Sequence, residues 1–143
     1  MLSHTCKTAI KAVIYLSVKS KSGEKAGMKE VAEQIKASEH TVGKILQLLV
    51  KHKIIYSVKG PSGGFYLSEV QQKQPISSIV ETIEGKGIFK ECGLGLSKCS
   101  ETRPCPIHNE YKEVRALIEK IFHDKMIEDL CDPVTNGLAF LMD

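Results

Sequence analysis

No stretch of this 143-residue chain approaches the ~20 consecutive apolar residues that a membrane-spanning helix needs. The opening residues, MLSHTCKTAIKAVIYLSVKSK, intersperse lysines among the apolar positions and lack a small-residue cleavage site, so no secretory leader is expected. A phosphate-cradling glycine loop, a paired-carboxylate motif and a Ser or Cys nucleophile signature are also missing. That leaves an enzyme as the weakest expectation. Five cysteines are an odd number and fit no small secreted disulfide framework. The expectation is a cytoplasmic protein with reduced thiols, in which clustered cysteines do metal or redox work.

What is present suits one domain, or a small domain with an attached element. Hydrophobic residues make up 42% of the chain, enough for a core, and charged residues 26%. The net charge of +3 hides an asymmetry. Residues 1–60 hold eleven lysines against four glutamates, whereas 61–143 hold nine basic and thirteen acidic groups. A basic first half suits a polyanion partner, although charge alone equally describes a solvated lysine-rich surface.

Hydrophobic spacing predicts a helix over 3–20, with Ser3 as N-cap and an apolar face from Ala9 to Val18. Cys6 stands alone on it and reads as a small core hydrophobe. A short helix is expected over 28–35, then a turn, then a third helix capped by Ser38. In that third helix Val42, Ile45, Leu46 and Leu49 recur at inward spacings. Two short helices about a tight turn make a helix-turn-helix, a pattern that any small helical hairpin shares. The next segment, IIYSVKGPSGGFYLS, reads as strand, glycine-rich turn and return strand through Phe65–Leu67. A hairpin directly after a helix-turn-helix makes a winged helix. Ser38, His40, Thr41 and Lys44 on the third helix, with Lys59 and Ser62 on the wing, are the candidate DNA contacts.

A short helix is expected over 75–84 and a long one over about 109–130, ended by Asp132-Pro133. Tyr111, Val114, Leu117, Ile118, Ile121, Phe122, Met126 and Leu130 give the long helix an apolar stripe that a small winged domain cannot cover. It reads as a dimerisation helix, with packing inside one chain as the alternative. The fold class expected is therefore mostly α with a small β-wing. It divides into a winged-helix domain at 1–84, a cysteine-rich loop at 85–108, and a dimerisation helix with its tail at 109–143.

That loop, C-GLGLSK-C-SETRP-C-PI-H, has no helical or strand period. It sets Cys92, Cys99, Cys105 and His108 in one glycine- and proline-bearing segment. Three thiols and an imidazole form a four-ligand set for a soft or borderline metal. An iron–sulfur cluster, zinc, and a cluster-free thiol switch all fit that set. Lys90, Lys98 and Arg103 lie among the cysteines and are expected to lower their pKa values. Cys131, His4, His52 and His123 lack such company and are assigned to packing or surface.

These pieces in this order resemble the Rrf-two family of bacterial transcription regulators over nearly the whole chain. SHTCKTAIKA is similar to the family's first helix, VAEQIKASEHTVGKILQLLVKHKII to its helix-turn-helix, and VKGPSGGFYLS to its wing. The three-cysteine loop before a long helix is the most specific element. Lys59 stands where the wing usually has arginine, keeping the charge and losing the planar fork. Gly43 and Lys44 occupy positions that hold Glu and Gln in the family's iron–sulfur regulator. Cys92 and Cys99 are one residue further apart than usual. The resemblance implies that Cys92, Cys99, Cys105 and His108 ligate a cluster. Another branch takes a carboxylate from the partner's first helix, and Lys7 at the matching place cannot serve. This favours 2Fe–2S over 4Fe–4S. The implied function is a homodimer on a palindromic duplex operator, controlled by the cluster or by redox state. A zinc-containing regulator and a metal or cluster carrier without DNA function are the alternatives.

Overall fold

The computed structural model describes residues 2–143. Helix α1, His4–Lys21, is the centre of the assembly and touches the helices Met28–Gln34, Glu39–Lys51, Ile76–Glu84 and Cys131–Thr135 and the return strand of the hairpin. The Ser3 hydroxyl accepts the Cys6 N–H, which caps the helix start. Ala9, Ala12, Val13 and Leu16 are fully buried. They pack against Val31 of α2 (Met28–Gln34) and Val42, Leu46 and Leu49 of α3 (Glu39–Lys51). Ser38 caps α3 as the sequence implies.

The wing is an antiparallel pair, β1 (Tyr56–Val58) and β2 (Gly64–Tyr66), registered as Tyr56–Tyr66, Ser57–Phe65 and Val58–Gly64. The return strand thus starts one residue earlier than expected. Leu67 leaves it and donates its N–H to the Ser20 hydroxyl of α1. Ala26 exchanges both backbone hydrogen bonds with Phe65, so the chain before α2 acts as a one-residue third strand. Gly63 is obligatory in the turn, because an added Cβ would stand 2.0 Å from the Val58 carbonyl oxygen. A mostly helical chain with this one small sheet is a winged-helix fold.

A four-residue helix, α4 (Glu69–Gln72), follows the wing, held by a Ser68–Gln71 capping box that the sequence reading did not pick out. Helix α5 (Ile76–Glu84) lies on α1, and its Glu84 carboxylate accepts the Ser3 N–H. The loop 85–107 leads to α6, His108–Asp124.

The long helix is shorter than its apolar pattern implied. It stops at Asp124, not near 130, and Lys125 is extended. The cause is competition for backbone partners. The Lys125 carbonyl accepts the Ile76 N–H, and the Ile127 N–H donates to the Gln74 carbonyl. Met126 is thereby pulled into a bridge with Pro75 at the head of α5. A single 3-10 turn (Ile127–Leu130) and helix α7 (Cys131–Thr135) follow, and both pack on α1. Pro133 therefore lies inside α7, in its first turn, where its missing N–H costs nothing.

Candidate DNA face and cysteine loop

Two groups of candidate residues lie in different parts of this fold. On α3, His40 and Lys44 are exposed and Thr41 is half-buried. Ser38 is committed locally: its hydroxyl accepts the Thr41 N–H and donates to the Thr41 Oγ1 at 3.2 Å. Both residues order the start of the helix whatever else they touch. Gly43 does not join the outward face. It is buried, and a Cβ there would stand 3.1 Å from the Met28 sulfur of α2. Two exposed residues that the sequence reading missed, Gln47 and Lys51, extend the stripe of His40 and Lys44. The signal was the i, i+4, i+7, i+11 recurrence of polar residues opposite the buried face. Lys59 and Ser62 are exposed at the wing tip, and the Lys25 ammonium lies 5.5 Å from the Tyr66 ring centroid at the wing base.

The cysteine loop is clamped onto the first half of α6. Gly93 has no Cβ, which allows its backbone to lie on the Tyr111 ring; an added Cβ would meet the ring at 2.8 Å. The Arg115 guanidinium donates to the Glu91 carbonyl, and Lys112 pairs with Glu101. The Cys105 carbonyl accepts the His108 N–H at 3.0 Å, at the point where α6 starts. On its other side the loop is held by Ile88 and Phe89, both buried. They pack with Cys6 and Val80 beneath Ile118 and Phe122. The Phe89 and Phe122 ring centroids are 5.9 Å apart.

Within this frame the four candidate ligands fall into two pairs. Cys99 Sγ lies 3.4 Å from His108 Nδ1. Cys105 is near enough to Cys92 to help lower its pKa, and the Cys92 sulfur accepts the Leu94 N–H at 3.4 Å. Among the described residues, no three His, Cys, Asp or Glu side chains meet as a ready-made metal site. The donor chemistry fits a soft metal or a cluster: Cys92, Cys99 and Cys105 are all free thiols, with an imidazole beside one of them. The geometry is two half-sites, and a bound group would have to draw them together.

Backbone N–H groups of Leu94 and Leu96 hold the Cys92 pKa below the ordinary thiol value. This corrects the expectation that the nearby lysines and arginine would do so; Lys90, Lys98 and Arg103 are exposed and contribute nothing to that shift. The two cysteines outside the loop behave oppositely. Burial, with help from the Glu84 charge, pushes Cys6 up to about 11. Burial also raises Cys131, whose sulfur lies 2.9 Å from the Ser17 hydroxyl of α1. Both are packing residues, as their isolation in sequence implied. His4, His52 and His123 are exposed.

One exposed stripe of α6 is apolar. Ile118 and Phe122 face inward, while Val114, Leu117 and Ile121 are more than half exposed. They recur at spacings of three and four, with Ile107 two turns before Val114.

Comparison with known proteins bears on both groups. A family model described as Rrf2, iron-dependent transcriptional regulator, matches residues 2–133. A protein of Aquifex aeolicus assigned as an HTH-type transcriptional regulator is 32% identical over 132 residues, covering 91% of this chain and 90% of its own. Two solved structures share the fold with a TM-score of 0.72 each. One is CymR, the global cysteine regulator of B. subtilis, at 19% identity, covering 92% of this chain and 95% of that one. The other is IscR of T. potens, at 18% identity, covering 97% and 92%. At such identities the two structures speak for the fold alone.

Proposed function

The chain belongs to the Rrf2 family of transcriptional regulators, and on that premise we propose that the state of its cysteine loop sets its grip on a palindromic duplex operator. The observation that carries the reading is the position of the loop. It is clamped to α6 through Gly93, Arg115 and His108, and its base is packed on the winged domain through Phe89. A change in the loop therefore acts on the junction between α6 and the DNA-reading elements. Cys92, Cys99, Cys105 and His108 would hold an iron–sulfur cluster, with 2Fe–2S favoured. When bound, such a group supplies a redox- and oxygen-sensitive charge at the junction. The residues do the rest. Leu94 and Leu96 N–H groups lower the Cys92 pKa, which favours its thiolate as a donor. Cys99 and His108 form the second half-site, and α6 carries any shift of His108 along its length.

The exposed Val114–Leu117–Ile121 stripe supports a homodimer through α6. Two copies would then present two α3 helices to successive major grooves. His40, Thr41 and Lys44, with Ser38 at the helix start, face the groove in this reading, and Lys59 and Ser62 grip the adjacent backbone. The regulatory claim needs the two loop states to differ in operator affinity.

A second reading rests on the influence of Cys105 on the Cys92 thiol. The two thiols could form a disulfide, releasing two protons and passing two electrons to a peroxide that is reduced to water. The test is anaerobic purification with iron, zinc and acid-labile sulfide analysis, followed by operator binding before and after loss of the bound group. Iron and sulfide in equal amounts, lost in Cys99→Ser with the fold intact, support the cluster. Iron-free protein after reconstitution sinks it, and a Cys92–Cys105 disulfide by mass spectrometry favours the thiol switch. Equal operator affinity in every state removes the control claim altogether.

A further inference from the structure

The outward edge of α3 carries one side chain whose chemistry the preceding reading leaves unused. Gln47 is exposed between Lys44 and Lys51, directly opposite the buried Val42, Ile45, Leu46 and Leu49. It borders two adjoining surface grooves. One is shared with Met28, His40 and Gly43 against α2; the other with Val58, Lys59 and Phe65 against the wing. No other residue lines both of these grooves. One turn earlier, position 43 offers no side chain, and its α-carbon is turned toward the Met28 sulfur. Position 43 thus adds nothing to the outward stripe, and Gln47 gives it a carboxamide.

The lysines on that stripe are donors only and offer no paired donor and acceptor. Lys44, Lys51 and Lys59 are compact point charges that hold phosphates with little geometric preference. Ser38 and Thr41 are occupied with each other at the helix start. A carboxamide is different. Its planar acceptor and donor match the N6 donor and N7 acceptor that adenine shows in the major groove.

We propose that Gln47 is a specificity-determining residue that reads an adenine in each operator half-site. The role usually placed near the start of the helix is thereby moved one turn along it. The inference rests on the reading of α3 as the DNA-reading helix. A bidentate pair of this kind discriminates by about 5- to 150-fold against the wrong base.

The experiment is selection from a randomised duplex library at fixed salt, using full-length wild-type protein, apo and anaerobically reconstituted, alongside Gln47→Ala and Gln47→Glu. Wild type is expected to enrich a palindrome with adenine at one symmetric pair of positions. Gln47→Ala should lose preference at that pair alone, with the salt dependence of binding unchanged. Gln47→Glu should shift the pair toward cytosine, whose N4 amine donates to a carboxylate. Because Gln47 is exposed, both variants should keep the wild-type melting temperature. A Gln47→Ala motif identical to wild type overturns the assignment while leaving the regulator reading standing. Wild type that enriches no duplex in either state overturns the regulator reading and this assignment with it.

Discussion

Gly63→Ala tests how much of DNA binding is carried by the wing. The new Cβ would stand 2.0 Å from the Val58 carbonyl oxygen, 2.8 Å from its carbon and 2.9 Å from the Lys59 carbonyl carbon. All three are backbone atoms, so no side-chain rotation relieves the overlap, and the strand must move by more than an ångström. Little resists that movement. The hairpin has three residue pairs, a turn bond from the Gly63 N–H to the Gly60 carbonyl, and the Ala26 pairing. Tyr56, Ser57 and Val58 are exposed and bury no core. Relief should therefore cost the roughly 1–3 kcal/mol of an overpacked site. In a domain of this size that is about 3–10 °C in melting temperature, and the helical core persists. DNA binding should suffer more. Each lost lysine–phosphate contact reduces the log–log salt slope by about 0.9, so a dimer that loses Lys59 from both wings changes by about 1.8. The affinity loss at 0.15 M salt is then on the order of ten- to thirty-fold. Anisotropy titrations of a labelled duplex across potassium chloride concentrations read the slope, and circular dichroism reads the melt. Lys59→Ala should reproduce the slope without the melting shift. If Gly63→Ala keeps wild-type affinity and slope, the wing is not a DNA contact.

Two further outcomes follow from burial and exposure. Leu117 is 63% exposed on α6, so Leu117→Asp should halve the solution mass by light scattering while the melting temperature falls little; an unchanged dimer mass would place the interface elsewhere. Cys6 is fully buried with its pKa pushed to about 11. A thiol whose folded pKa is raised stabilises the fold only while the unfolded thiol also keeps its proton. Stability should thus decline from about pH 9 toward 11, and Cys6→Ala should flatten that decline in urea titrations; the same slope in both proteins would show that Cys6 is not its source.

The parts legible in sequence were those fixed by neighbouring residues. Ser38 followed by an inward three-four pattern located the start of α3 to the residue, and the glycines of 60–64 located the hairpin turn. The end of α6 was illegible for the opposite reason. Met126 and Leu130 continue the helical stripe, but Gln74 and Ile76, some fifty residues away, take the backbone partners of Lys125 and Ile127. Local periodicity cannot register such competition. Gly43 faced the same limit, since only the presence of Met28 on α2 shows that position 43 is turned inward. In the loop, the cysteine and histidine content announced metal or redox chemistry. Its division into a Cys92–Cys105 pair and a Cys99–His108 pair depends on how Gly93 and Arg115 seat the loop on α6.

The backbone tie at 125–127 makes α6 a lever. Its far end is pinned to the head of α5 by two main-chain hydrogen bonds, which only proline at Ile76 or Ile127 would remove. Its near end begins at His108, within the loop. Seventeen residues of helix span roughly 25 Å at 1.5 Å per residue. With the fulcrum fixed, a displacement of about 2 Å at His108 turns the whole rod by about 5°. The exposed Val114, Leu117 and Ile121 sweep through graded arcs between those ends. The residues closest to the loop would travel furthest, so a modest rearrangement of thiols would be converted into a tilt between whatever two bodies the rod joins.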